Sequence, residues 1–180
     1  MSGSRRPSGH ARAKMSQQRT MGAMPSQQRS GPAAPGPGSD GSTPIRATFA
    51  SDFNVARDVQ RRILAAVITH RFDDKDTFAI KLALEEAFVN AIKHGNKLDP
   101  AKHVHVDTTV TNEQAEIIIE DEGPGFDRGC VPDPTAEENL DKCSGRGILL
   151  MEAYMDHVEY SKGGRRVRMI KKNNRPDAKG

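Results

Sequence analysis

The sequence predicts an α+β sandwich of two layers, in which a mixed, mostly antiparallel sheet is covered on one face by about three helices. The first observation behind this is helical spacing: apolar residues recur at three- and four-residue steps in two long stretches between 54 and 97, and a shorter helix follows at 148–155. The second is that residues 103–120 and 157–171 each divide into two strand-like runs about a short turn, the pattern of hairpins. The third is the resulting order, β, α, α, β, β, loop, α, β, β, which gathers helices on one side of hairpin-paired strands.

Residues 1–44 come first and stand apart. They are rich in Ser, Gly, Pro, Gln and Arg and have almost no apolar residues beyond Met and Ala. Such a segment buries too little surface to offset the entropy of ordering it, so a disordered tail is expected. The tetrapeptide SQQR occurs at 16–19 and 26–29, a repeat too short to be a structural unit. The formal net charge of the chain is +3, yet residues 1–44 hold six Lys/Arg against one acid, while the remaining 136 hold 21 against 23. The basic character therefore belongs to the tail, read first as a solubilising segment and second as a weak contact for nucleic acid or an acidic partner, and direct nucleic-acid binding by the protein is not expected.

Residues 45–50 read as a first strand, and Ser51-Asp52 then offers a helix cap. Val55, Val59, Ile63, Ala66 and Val67 give residues 54–70 a helical period. Asp73 or Asp74 opens the second helix, whose stripe Ile80, Leu84, Ala87, Phe88 and Ala91 is spaced for burial. It stops near Gly95-Asn96, a pair suited to a C-cap, with Pro100 shortly after. In 103–111, Val104, Val106, Thr108 and Val110 alternate with His103, His105, Asp107 and Thr109. After the turn Asn112-Glu113-Gln114, residues 115–120 carry Ile117-Ile118-Ile119, an apolar run suited to a central strand. Residues 127–144 lose periodicity and read as a lid or binding loop. Ser144-Gly145-Arg146-Gly147 opens the helix at 148–155, a strand spans 157–161, Gly163-Gly164 turns the chain, and 165–171 form the last strand before a frayed end at 173–180.

Several classes are set aside by what the chain does not contain. No apolar run approaches the ~18–20 residues a membrane span needs, and the N-terminus has no apolar h-region of a secretory signal. Cys130 and Cys143 make neither a disulfide framework nor a metal set, so a reduced cytoplasmic setting is the expectation. His103 and His105 have the two-residue spacing of metal ligands, but no third ligand accompanies them, and a solvent- or strand-facing role is expected. There is no Walker-type phosphate loop, and the G-x-G elements lack the strand–helix context of a dinucleotide fold.

The residues with chemical promise lie on the second helix and in two glycine clusters. Glu86, Asn90 and His94 recur at four-residue steps on a polar face. A carboxylate and an amide one turn apart, with Cβ atoms roughly 5–6 Å apart, suit one proton acceptor and one neutral oxygen ligand for a hard cation; the same pattern also describes a solvated face. Asp121-Glu122-Gly123-Pro124-Gly125 places an acid at a strand end before two glycines, where backbone comes close to a ligand. Glycines at the start of the 148–155 helix would expose amides to an anion.

In that order, Glu86-Ala87-Phe88-Val89-Asn90, Asp121-Glu122-Gly123-Pro124-Gly125 and Gly145-Arg146-Gly147 resemble the N, G1 and G2 boxes of the GHKL ATPases, the superfamily of gyrase, the histidine kinases, MutL and the ninety-kilodalton heat-shock chaperone. Within it the chain is most similar to the anti-sigma-factor serine/threonine kinases, over residues 45–172. The resemblance implies the Bergerat ATP-binding fold with 127–144 as ATP lid, and ATP and Mg²⁺ as cofactors. It implies that Asn90 holds Mg²⁺, Glu86 is the general base toward an incoming hydroxyl, and Asp121 accepts the exocyclic amine of adenine. Gly123 and Gly125 would let backbone pass close to the nucleotide, and Gly145 and Gly147 would turn the lid into the last helix. The kinase branch often carries an Arg immediately before the Ser-Gly of the lid end, where this chain has Cys143. A cation for the γ-phosphate would then come from Lys142 or Arg146, or phosphoryl transfer is weak and the protein is an ATP-gated sequestering module. The implied partners are a STAS-type anti-anti-sigma protein and a sigma factor, with a homodimer as a further possibility and no membrane contact. A stand-alone histidine-kinase-like ATPase domain is a third reading, opposed by the lack of an upstream phosphoacceptor-His helix pair.

Overall fold

A computed structural model describes residues 41–125 and 146–175. The described chain runs β1 (Thr43–Ala50), α1 (Phe53–Thr69), α2 (Asp74–Val89), a π-helical turn (Asn90–Gly95), β2 (His103–Val110), β3 (Gln114–Asp121), α3 (Arg146–Tyr154), β4 (His157–Ser161) and β5 (Arg166–Lys172). The strands form one sheet of order β1-β2-β3-β5-β4. Every pairing is antiparallel, so among the described residues the sheet has no parallel pair and is not mixed. The rest of the expected architecture stands: an α+β sandwich of two layers, with β3 central.

The helices start where the caps predict. The Asp52 carboxylate accepts from the Asn54 N–H and that of Asp73 from the Asp76 N–H, each satisfying an amide the helix itself leaves unpaired. The α2 stripe is wholly inward: Ile80, Leu84, Ala87, Phe88 and Ala91 are buried. It meets the inward residues of the strands, among them Ile45, Val104, Val106, Val110, Ile117, Ile119 and Met169. Burying an aliphatic side chain of this kind contributes about 1.5–3 kcal/mol. On α1 the expected stripe needs one change: Val55 is exposed and Ala56 takes the inward place, because the neighbouring positions Val59, Ile63, Ala66 and Val67 fix the helix rotation.

Register gives the sheet two distinct ends. One holds Thr43, Val110, Gln114 and Lys172; the other holds Ala50, His103 and Asp121. At the first end the polar groups are tied by side chains. Buried His70 bridges Thr43 Oγ1 at 2.9 Å and Asn112 Oδ1 at 2.8 Å. The Asn173 amide donates to the carbonyls of His70 and Asn112. Buried Asp76 receives Lys171 Nζ at 3.2 Å and the backbone N–H of Asn174 at 3.1 Å.

These contacts correct both boundaries read from sequence. Thr43 and Pro44, assigned to the tail of 1–44, belong to β1, where Thr43 is buried. Asn173 and Asn174, assigned to the frayed end of 173–180, are fixed by the bonds to His70, Asn112 and Asp76. Residues 1–40 and 176–180 lie outside the described residues, as do Cys130, Cys143 and the loop of 127–144.

Candidate functional site

The site lies at the other end of the sheet, where α2 changes its winding. Beyond Val89 the helix does not continue in α form; the Asn96 N–H reaches back five residues to the Ala91 carbonyl at 2.8 Å, the bond of a π turn. Such widened turns are rare and frequently accompany functional sites. The sequence predicts one uninterrupted helix to Gly95-Asn96, and the periodicity of its buried stripe ends at Ala91, so nothing in the pattern marks the change.

Glu86 and Asn90 are half-buried on the last turn of α2 and the first residue of the widened segment. His94 is more exposed; what desolvation it has, then Lys93 and Lys97, hold its imidazole below the ordinary value. Glu86 meets the opening turn of α3. A Cβ placed on Gly147 would stand 3.3 Å from Glu86 Cδ and closer still to Oε2, so a side chain there would displace the Glu86 carboxylate. Arg146 is the first residue of α3; Lys142 and Gly145 lie outside the described residues.

Asp121 ends the central strand, paired with Val104. Its N–H donates to the Arg165 carbonyl at 3.0 Å, and its Oδ1 accepts from the Gly123 N–H at 2.8 Å. The side chain is buried, and desolvation raises its pKa above the ordinary carboxylate value; the Gly123 bond, Arg165 and Lys102 oppose that rise, while Glu120 adds to it. Gly95 and Gly123 form a cradle around this carboxylate. A Cβ on Gly95 would overlap the Asp121 carboxylate, and a Cβ on Gly123 would overlap the Gly95 carbonyl. Gly125, at φ +80°, adopts the left-handed conformation that glycine tolerates, and its own missing Cβ faces the Gly163 carbonyl of the β4–β5 turn.

The structure thus brings Glu86 to Gly147, and Asp121 to Gly95 and Gly123, with Asn90 on the segment between. Sequence reasoning missed Gly95 and Asn96, which it used only as a helix stop. Gly95 has no positive φ, so no cap geometry requires it. A glycine one turn beyond Asn90 without such a need was the available signal of a close approach. Asn96 is fully buried, and two of its three partners, Ser51 and Glu122, come from distant segments, which no local pattern reveals. His103 and His105 each pair with Glu122 at 3.5 Å, as strand neighbours on the exposed side. Among the described residues no group of three or more His, Cys, Asp or Glu is placed to hold a metal ion, and no helix is long and apolar enough to cross a membrane.

The residues present fit a ligand that offers an amine donor and a hard cation. A carboxylate held at the end of a glycine-lined cradle is an acceptor for an exocyclic amine, and the Asn90 amide oxygen is a hard ligand that needs no deprotonation.

A family profile described as histidine kinase-like ATPase domain matches residues 49–171. An anti-sigma F factor of Clostridium perfringens (strain SM101 / Type A) is 34% identical over 97 residues, covering 52% of this chain and 69% of that protein. The serine-protein kinase RsbW of Bacillus licheniformis is 34% identical over 102 residues, covering 53% of this chain and 62% of that protein. A crystal structure of the RsbU and RsbW domains of Rv1364c from Mycobacterium tuberculosis aligns with 74% of this chain and 33% of its own at 18% identity, with a TM-score of 0.48.

Proposed function

We propose a function from one premise: the chain belongs to the histidine kinase-like ATPase domain family. The function is that of an anti-sigma-type serine/threonine protein kinase of the GHKL superfamily. It binds Mg-ATP, phosphorylates a STAS-type anti-anti-sigma partner in the cytoplasm, and so regulates a sigma factor by partner switching. Relatives bearing the names anti-sigma F factor and serine-protein kinase RsbW support this reading. The observation that carries it is the grouping of Glu86 against Gly147 at the start of α3, with Asp121 in its glycine cradle and Asn90 on the turn between them.

Bound Mg-ATP supplies an activated γ-phosphoryl group whose charge the metal offsets. Asn90 would hold the metal through its side-chain oxygen. Asp121 would accept from the adenine amine, which favours ATP over GTP. Gly123 and Gly125 keep the loop free of side chains that would close the site, and Gly145 and Gly147 let the chain enter α3 beside Glu86. Glu86 would take the proton from the partner's hydroxyl as that oxygen attacks. Lys142 or Arg146 would offer the cation for the γ-phosphate.

A second reading follows from Cys143, which stands where the kinase branch often has Arg. In it the chain is an ATP-gated sequestering module with little transfer. Transfer of labelled γ-phosphate to the cognate STAS protein separates the two. On the kinase reading Glu86→Gln lowers that rate by about 10²–10⁴-fold while ATP affinity stays within about twofold. A Glu86→Gln protein as fast as wild type refutes the base assignment; tight Mg-ATP binding with no transfer to any STAS protein encoded nearby favours the module.

A further inference from the structure

Asn96 is fully buried, and its carboxamide joins three segments distant in sequence. Its Nδ2 donates to Ser51 Oγ at 3.0 Å and to the His103 carbonyl at 2.9 Å, and its Oδ1 accepts from the Glu122 N–H at 2.9 Å. Ser51 Oγ passes the connection on to the Lys102 carbonyl at 3.1 Å. The Glu122 carboxylate in turn receives the His103 N–H at 2.8 Å. The peptide after Asp121 is therefore fastened to the start of β2 and to the β1–α1 connection.

The hydrogen bond of the Asp121 carboxylate, by contrast, lies within its own loop, to the Gly123 N–H. Its aim is only as fixed as that loop. Asn96 supplies the fixing from outside, and it does so next to Gly95, the residue whose missing side chain leaves the carboxylate its room. We propose that Asn96 is a positioning residue for nucleotide recognition: it sets the direction of the Asp121 carboxylate, and hence the preference for a base with an exocyclic amine, without touching the nucleotide. This rests on the reading of Asp121 as the adenine acceptor.

The test is the ratio of ATP to inosine triphosphate affinity, since inosine lacks the exocyclic amine. Binding is measured by calorimetry on the full chain, with folding followed by circular dichroism. Asp121→Asn is the reference and should abolish the preference. Asn96→Ala should lose about tenfold in ATP affinity and less than about twofold in inosine triphosphate affinity, the loss expected when a hydrogen-bonded acceptor is misdirected. Equal losses for both nucleotides, or no loss for either, overturn the proposal and leave Asn96 a purely structural residue. An unchanged ratio in Asp121→Asn removes the premise instead, a separate outcome. Should Asn96→Ala not fold, Ser51→Ala takes away one anchor of the amide and should move the ratio the same way by about twofold; an unmoved ratio there also overturns the proposal.

Discussion

Gly95→Ala sets two effects of opposite sign against each other. Gly95 lies in the π turn and its φ is not positive, so local propensity alone favours alanine there, by about 1 kcal/mol. The surroundings oppose it. The new Cβ would stand 2.6 Å from Asp121 Oδ2 and closer still to Cγ and Oδ1, where ordinary contact begins at 3.4 Å. The carboxylate would have to retreat by roughly 1 Å to restore van der Waals distance. Its Oδ1 sits 2.8 Å from the Gly123 N–H, so a retreat of that size breaks the bond. A hydrogen bond to a charged group is worth about 1.5–3 kcal/mol. The steric term exceeds the propensity gain, and the net loss is about 0.5–2 kcal/mol. In a thermal melt that lowers Tm by a few degrees, at roughly 2–8 °C per kcal/mol for domains of this size class. On the proposed reading, in which the displaced carboxylate accepts from the adenine amine, calorimetry with Mg-ATP should show at least a tenfold weaker affinity. A Gly95→Ala protein that melts higher than wild type and binds ATP equally well would refute both the cradle and the place of Asp121 in it.

The remaining expectations concern charge and burial. Burial raises the pKa of Asp121, and protonation removes its acceptor, so adenine-nucleotide affinity should be full above that raised pKa and fall on acidification at a pH higher than an ordinary aspartate, whose value is 3.8, would give. Asp121→Asn should lose that acid limb and bind ATP about 10- to 150-fold more weakly at neutral pH. The same shift costs folding stability once the group ionises, a cost absent below the ordinary value and complete above the raised one. Tm of Asp121→Asn measured against pH should therefore exceed wild type near neutrality, with the gain vanishing toward strong acid. Thr108 faces the core from β2, and among the described residues its buried hydroxyl has no hydrogen-bond partner. Thr108→Val keeps the shape and removes the unpaired group, so the urea midpoint should rise by the equivalent of about 1 kcal/mol at unchanged m; a lower midpoint would reveal a partner for that hydroxyl.

What could be read in advance follows from how local each signal is. The α2 stripe from Ile80 to Ala91 is set by spacing along one segment, and it is buried as the spacing requires. Asp52 and Asp73 cap their helices through amides two and three residues away, so those starts were legible too. The alternation of Val104, Val106, Thr108 and Val110 fixed which face of β2 is inward. The residues that escaped are those whose reasons lie elsewhere in the chain. Asn96 bonds Ser51 and Glu122 across separations of 45 and 26 residues. Gly95 is required by a carboxylate on β3, and the widened turn that brings it there leaves no mark on the hydrophobic period. The fastening of Asn173 to His70, 103 residues away, is invisible for the same reason.

The two ends of the sheet differ in how their polar groups are satisfied. At the end holding Thr43 and Lys172, side chains fill the space and satisfy one another: His70 with Thr43 and Asn112, Asp76 with Lys171 and Asn174. Buried charge is tolerable there because each charged group has a partner, and breaking such a pair by removing one member is costly. At the Asp121 end the chain withholds side chains instead. Gly95, Gly123 and Gly147 each leave a gap bounded by a carboxylate or a carbonyl. A desolvated Asp121 bonded within its own loop is an arrangement that lowers stability, and it persists because the far end and the apolar core outweigh it. On the proposed function, the space these glycines leave beside the carboxylate is where a base amine would offset what burial costs it. The proposed function joins the glycines and Asp121 in one device, in which the gap and the desolvated carboxylate serve the same ligand.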